Sequence, residues 1–260
     1  MISEIDSGQW GILILGALLV GLAKGGIPGV GNLTVAIFAM IFPARLSAGI
    51  LLPTLICSDI VAVLVYRKHA AWDHMGKLVP WTAAGIAVGY FMLDKISDTH
   101  VQLIIALILM GMTAVHFYRK SKVAEAKASG IADPFPHSLP FVATTGVLAG
   151  FATMVANAAG PVASLYLLAV GLPKYAFIGT MAWFWFLANV IKVPLQISLG
   201  NIDTDTIQVS LLLGIPAALG ALIAPKIVRF IKQDLFEVLV WFFIILAGLR
   251  LLYSGITQLI

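Results

Sequence analysis

The chain has 260 residues, of which 60% are hydrophobic and only 11% are charged. A soluble domain carries about 25% charged residues, so this composition excludes a soluble globular protein and indicates an integral membrane protein. The net charge of +4 lies mainly in short loops between apolar segments, so it reflects membrane orientation and is not the basic patch of a nucleic-acid-binding protein.

Ten apolar segments follow one another along the chain. A helix needs roughly 20 apolar residues to cross a bilayer, and the second and seventh segments are too short for this. Each of these two directly follows a glycine-rich interruption, so we expect half-helices or the returning arm of a re-entrant hairpin. The predicted segments are residues 8–27, 32–43, 46–66, 77–93, 100–118, 138–156, 160–172, 175–199, 206–230 and 235–256.

The two interruptions are similar to each other and lie about half a chain apart. The first covers residues 21–32 (GLAKGGIPGVGN) and the second residues 150–161 (GFATMVANAAGP). The similarity continues downstream, where Asp59 in the first half matches Asn189 in the second. Interrupted apolar segments at matching positions in two halves of a membrane protein indicate a transporter's binding site.

Basic residues in the loops predict the orientation, because short loops rich in Lys and Arg stay in the cytoplasm. Such residues occupy the loops at 67–77, 119–127 and 226–232, whereas the loop at 199–206 has none. The loop after the third segment is therefore predicted inside, and its counterpart after the eighth segment outside.

The sequence thus predicts an all-α, multi-pass protein of the bacterial inner membrane, made of two inverted repeats of five segments with broken helices at the midplane. The first repeat is predicted at residues 1–118 and the second at 138–260, with a cytoplasmic linker at 119–137.

Lys24 ends the first apolar segment, beside Gly25 and Gly26. A charge at the centre of a membrane helix costs roughly 2.5–3.5 kcal/mol on insertion scales, so such residues are rare unless they have a function. Lys24 is therefore either an anion ligand at the break or a lysine that extends to the inner interface. The helix start that follows favours an anion, because it exposes N–H groups and the positive end of the helix dipole. Further candidate ligands there are Gly29, Gly31 and Asn32.

The second break offers a matching set of candidates. Asn157 is placed to cap the seventh segment, and Pro161 fits its first turn beside Gly160. Two inverted half-helices would direct their positive ends at one point in the membrane, which suits a small anion.

Three polar residues inside long segments complete the candidate site. Lys192 shares a helix face with Asn189 and is either a ligand or an interfacial lysine. Asp59, deep in the third segment, is a coupling candidate that carries protons, or the counter-ion of a lysine, and the counter-ion is favoured. The aromatic run Trp183–Phe186 precedes Asn189 and is expected to face lipid more than a cavity.

No cofactor, no metal site and no enzymatic activity are expected, because the sequence has no Walker A motif, no HExxH and no Ser-His-Asp arrangement. Three alternatives to an anion transporter remain open. The first is an anion channel, which needs no coupling group, and the second is a cation or metal transporter with Asp59 as a ligand. An intramembrane enzyme is the least supported.

Residues 21–32, followed by an apolar run to Pro43 and then Ala48 and Gly49, resemble the signature of the sulfite exporter TauE/SafE family. The second break and the run to Pro173 resemble the second copy of that signature. The resemblance implies a secondary transporter that exports sulfite or a small organosulfonate such as sulfoacetate. It implies a small anion and lipid as partners, no nucleic acid, and it allows a homodimer. The chain departs from the family's glycine runs at Asn32 and at residues 154–159, where the Asn157 side chain would replace backbone contacts.

Overall fold

The structure is a computed structural model, and it describes residues 5–28, 30–93, 139–157 and 160–257. In the fifth segment it describes only positions 100, 103, 106, 107, 110, 111, 113, 114 and 118, all of them helical. Within this described part every regular element is a helix, which confirms the all-α prediction.

The helices follow the predicted segments closely. A 3₁₀ turn at Arg67–His69 connects two of them, and the fourth helix begins at Trp72, five residues before the predicted start at 77. This earlier start places Asp73 in the first turn, where the helix dipole favours an acidic side chain. The helices are α1 (Ser7–Lys24), α2 (Gly31–Ile41), α3 (Ala44–Tyr66), α4 (Trp72–Met92), α5 (Leu139–Ala156), α6 (Gly160–Ala169), α7 (Lys174–Ser198), α8 (Thr204–Val228) and α9 (Gln233–Thr257).

Five stretches of the described chain are long and apolar enough to cross a membrane, namely α1, Leu46–His69, α7, α8 and α9. The protein is therefore a multi-pass membrane protein, as predicted. By contrast, α2 has 11 residues and α6 has 10. Such helices rise only about 15–17 Å, against a hydrocarbon core of about 30 Å, so neither crosses the bilayer as a helix.

The chain folds into two compact units. The first comprises Met1–Met75 and Pro173–Val240, and the second comprises Gly76–Leu172 and Trp241–Ile260. Each unit takes residues from both predicted repeats. The predicted linker at 119–137 lies outside the described residues, and the division of the sequence at that point stays a prediction.

In the first unit, α8 packs against α1 and α3, and α3 also packs against α7. The crossing of α1 and α8 is close, since a Cβ at Gly21 would clash with the carbonyl oxygen of Ala217. Small residues allow such close approach where lipid provides no hydrophobic drive between helices. Beside this crossing lies an apolar core of fully buried side chains that includes Leu13, Ala17 and Leu213.

In the same unit, α2 turns back along α1. Gly16 of α1 faces Ile37, and Gly31 at the start of α2 faces Ala23 near the end of α1. The contact nearer the end of α1 is therefore the one nearer the start of α2. The two helices run antiparallel and form a hairpin. Because α2 is too short to cross the bilayer, the hairpin has the geometry predicted for a re-entrant arm.

In the second unit, α4 packs closely against α5. A Cβ at Gly85 would clash with the backbone of Val147, and a Cβ at Gly150 would clash with the carbonyl oxygen of Thr82. This crossing resembles that of α1 and α8, because Gly150 and Gly21 occupy matching places in the two breaks.

Candidate functional site

The first candidate, Lys24, is the last residue of α1, and its side chain points into the first unit. Its Nζ lies 2.7 Å from Oδ1 of Asp59, and only 12% of the Lys24 side chain is exposed. Asp59 lies on α3 and is completely buried. The two charges therefore form an ion pair away from solvent, and Lys24 does not extend along lipid to the membrane interface.

A third helix completes this cluster. Nδ2 of Asn189 on α7 donates a hydrogen bond of 2.6 Å to Oδ2 of Asp59. Lys192 follows on α7, is 1% exposed, and interacts electrostatically with both Lys24 and Asp59. The structure thus brings Lys24, Asp59, Asn189 and Lys192 together from three helices that are far apart in sequence.

The cluster has an excess of positive charge. It contains two lysines and one carboxylate, and α1, α3 and α7 carry no other acidic residue. Buried charges are stable only when they are paired or otherwise compensated. A bound anion would therefore balance the positive charge that Asp59 leaves uncompensated.

The aromatic run Trp183–Phe186 is turned partly inward. The expectation that it mainly faces lipid is wrong for Phe184, which is 1% exposed, and the other three side chains are half-buried. The Lys24 Nζ lies 5.0 Å from the ring centroid of Trp185, within the range of a cation–π interaction. The physical reason is that this part of α7 packs against α3, whose buried residues Ala62 and Val63 contact Trp183 and Phe186.

The first break is held in place by neighbouring helices of the same unit. The Tyr66 hydroxyl, at the end of α3, donates a 2.9 Å hydrogen bond to the carbonyl oxygen of Gly25. Gly26 has a φ of 103°, a conformation that glycine tolerates best, and lies against Ile178 of α7. Gly25 also packs against Ala224 of α8. These contacts fix the backbone directly after Lys24.

The start of α2 lies alongside the last turn of α1. No side chain caps this start at Val30, and the Thr34 hydroxyl donates to the carbonyl oxygen of Gly31. Val30, at the N-cap position, therefore does not cap the first-turn N–H groups of α2, and these are the groups that bind an anion at a helix start. Gly29 lies outside the described residues, as does the side chain of Asn32, whose backbone belongs to α2.

The second break lies in the second unit. Asn157 adopts a left-handed backbone with a φ of 49° and its N–H bonds to the carbonyl oxygen of Thr153, so it ends α5. α6 begins three residues later, at Gly160, and a capping role of the Asn157 side chain for this helix stays a prediction. Pro161 does lie in the first turn of α6 and is buried, as expected. The meeting of this break with the first one stays a prediction.

Sequence reasoning assigned Trp185 mainly to lipid and missed Tyr66. Trp185 precedes Asn189 by four residues and so lies on the same helix face, a signal that was present in the sequence. Tyr66 had no such signal, because its partner Gly25 is brought near only by the packing of α3 on the end of α1.

A model of the family described as "Sulfite exporter TauE/SafE" matches residues 13–251. The chain belongs to the TauE/SafE family. The resemblance seen in the sequence is therefore confirmed over most of the chain. Because TauE/SafE proteins are membrane transporters, the prediction of a transporter and not an enzyme is also confirmed at the level of the family.

A curated relative of this TauE/SafE chain is the "Probable membrane transporter protein MamO" of Magnetospirillum gryphiswaldense. The two are 31% identical over 138 residues, which are 51% of this chain and 21% of the relative. The match therefore covers only about a fifth of the relative's length. No solved structure matches the chain.

Proposed function

We propose that this protein is a secondary transporter that exports a small sulfur-containing anion, such as sulfite or sulfoacetate, across the bacterial inner membrane. The observation that carries the proposal is the buried cluster in which Lys24 and Lys192 share a single carboxylate, Asp59. The name of the family supports a sulfur oxyanion as the substrate.

The chemistry of the cluster fits a sulfite or sulfonate group, which presents three acceptor oxygens. Lysine ammonium groups and an asparagine amide are donors, and the uncapped N–H groups at the start of α2 are further donors. Lys24, Lys192 and Asn189 would bind the oxygens directly. The backbone of Gly25, Gly26, Gly29, Gly31 and Asn32 would surround the anion on one side.

We infer that the two halves form an inverted repeat, and reciprocal contacts between α3 and α7 support this. Gly49 near the start of α3 faces Asn201, just after α7, and Gly179 near the start of α7 faces Ala70, just after α3. Matching helices that run antiparallel in this way are what opposite insertion of the halves produces. In alternating access, one five-segment half would then move against the other around the site.

The second break is a further candidate for anion binding. By its place in the sequence, α6 is the counterpart of α2, and Gly160 with Pro161 forms its first turn. We propose, from the sequence repeat alone, that these residues and Asn157 also bind the anion.

The alternatives make different predictions for transport. In a metal or cation transporter Asp59 would be a ligand. Its two carboxylate oxygens, however, already contact the Lys24 ammonium and the Asn189 amide. Among the residues that the structure describes, no group of three His, Cys, Asp or Glu side chains is placed to bind a metal.

An anion channel would conduct only down a gradient, whereas a secondary transporter reconstituted in vesicles would accumulate the anion against one.

The proposal is tested by a binding screen with purified protein. Sulfite, sulfoacetate, taurine, sulfate, acetate and Zn²⁺ are added separately, and the melting temperature is measured, because a specific ligand stabilises the folded protein by mass action. Sulfite or sulfoacetate is expected to raise the melting temperature of the wild type and of K226Q, which removes an exposed lysine, but not of K24Q. A shift by Zn²⁺ alone, or an equal shift of K24Q by the sulfur anions, would contradict the proposal.

A further inference from the structure

We propose that the site binds a dianion together with one proton, which Asp59 takes up, and that it binds a monoanion without a proton. The proposal rests on the function proposed above and specifies the charge of the substrate and the coupling ion. It follows from the composition of the buried cluster and from the position of Asp59 within it.

Asp59 is the group that must respond when an anion arrives. Its two oxygens are held by Lys24 at 2.7 Å and by Asn189 at 2.6 Å, and the residue is fully buried. An anion that binds to Lys24 therefore lies next to the Asp59 carboxylate. Two adjacent negative charges repel strongly away from water unless positive charge compensates them.

The groups that face Asp59 define the charge of the site. Lys24 comes from α1, and Asn189 and Lys192 come from α7. On α3 itself the neighbouring ionisable group is the Cys57 thiol, which packs against Gly214 of α8 and is neutral as a thiol. In the empty site as proposed, Asp59 is ionised and both lysines are protonated, so the net charge is +1.

Charge balance then distinguishes two kinds of substrate. A monoanion brings the site to neutrality and needs no proton. A dianion would leave a net charge of −1 in a buried site, and a proton on the Asp59 carboxylate restores neutrality. Because an unbalanced buried charge is strongly disfavoured, the dianion is expected to bind together with the proton.

The experiment counts protons bound per anion. Calorimetric titrations of the purified full chain are made near pH 7.5 in two buffers with different ionisation enthalpies, so that the difference in heat gives the proton number. Sulfoacetate serves as the dianion and methanesulfonate as the monoanion, since neither titrates near this pH. We expect uptake of about one proton with sulfoacetate and about none with methanesulfonate. The affinity for sulfoacetate should also fall about tenfold per pH unit, while that for methanesulfonate stays constant.

A matched pair of variants assigns the proton to Asp59. K192M keeps the carboxylate and is expected to take up about one proton with sulfoacetate, whereas D59N/K192M keeps one lysine and no carboxylate and is expected to take up about none. N189D adds a carboxylate to the wild-type site, so its proton number with sulfoacetate is expected to rise to about two. Uptake that persists in D59N/K192M would overturn the proposal, because another group would then take the proton. If this double variant does not fold, the proton number of the wild type and its change in N189D test the proposal.

The titrations distinguish a failure of this inference from a failure of the proposed anion site. Binding of sulfoacetate to the wild type without proton uptake would overturn this inference and leave the proposed function intact. Equal proton uptake with both probes would also overturn it, because the charge of the anion would then be irrelevant. If neither probe binds, both this inference and the proposed anion site are wrong.

Discussion

The Asn189 amide donates a hydrogen bond of 2.6 Å to the Asp59 carboxylate across 130 positions of the sequence. These two residues occupy matching places in the two halves of the chain. Residues related by a two-fold axis touch each other only where that axis passes between them. The contact therefore supports an axis through the cluster of Asp59, Asn189, Lys24 and Lys192, which would place the site at the centre of the proposed repeat.

Exchanging these two side chains should preserve proton coupling. In the double variant D59N/N189D the carboxylate moves to the other side of the same 2.6 Å hydrogen bond, onto the helix face that also carries Lys192. Proton uptake with sulfoacetate is therefore expected to stay at about one per anion in the double variant. The check is the same two-buffer titration, with the wild type as the matched control. Loss of proton uptake in the double variant would show that the position of the carboxylate, and not its presence alone, controls the proton.

Removing Asp59 alone should destabilise the protein more than removing the ion pair. D59L leaves two buried lysines without a carboxylate and is expected to cost about 3–5 kcal/mol of unfolding free energy, whereas K24M/D59L leaves only Lys192 and should cost less. The double variant also lacks an anion ligand and should not bind sulfoacetate. Chemical unfolding in detergent measures the difference. Equal stability of the single and double variants would mean that Lys24 and Asp59 do not interact.

The sequence was sufficient to predict the helices, because long apolar segments and glycine-rich breaks are local signals. Alignment of the two halves matched Asp59 with Asn189, but nothing in the sequence predicted that the two would touch, since that contact depends on how α3 and α7 pack. The inward side of Trp185 was missed for the same reason. In a membrane segment lipid and protein interior are both apolar, so composition alone does not distinguish a lipid-facing aromatic side chain from a buried one.

The crossing of α1 and α8 should not tolerate a side chain at Gly21. A methyl group there would clash with the backbone of Ala217 and Gly220, so G21A is expected to lower the free energy of unfolding by about 1–3 kcal/mol. The matched control is G11A on the same helix, where an added Cβ meets nothing within 4 Å. That variant should be neutral or up to about 1 kcal/mol more stable, because Ala favours helix. Thermal unfolding of both in the same detergent checks this, and equal effects would contradict the close crossing.

Asp203 should make stability depend on pH at the start of α8. Hydrogen bonds from the backbone and side chain of Thr206 hold the pKa of the Asp203 carboxyl below its usual value. The stabilisation is therefore complete above the ordinary pKa of 3.8 and is lost as the pH falls through the lower pKa of the folded state.

Two variants test this cap. D203A is expected to lower the melting temperature at neutral pH, with the difference from wild type disappearing in strong acid. D203N still caps the helix but does not titrate, so its melting temperature should depend less on pH below about 4 than that of the wild type. A difference between D203A and wild type that stays constant down to strongly acidic pH would contradict this role.

The position of the anion itself tests the account most directly. Selenite has the shape and charge of sulfite, and the anomalous X-ray scattering of selenium distinguishes it from every atom of the protein. In crystals soaked with selenite we expect a peak within hydrogen-bonding reach of Lys24 and Lys192, with oxygens about 3 Å from their Nζ atoms. The peak should be absent from crystals of K24Q and present in those of K226Q. A strong selenium peak elsewhere in the protein, with the Lys24–Asp59 ion pair undisturbed, would contradict the central claim.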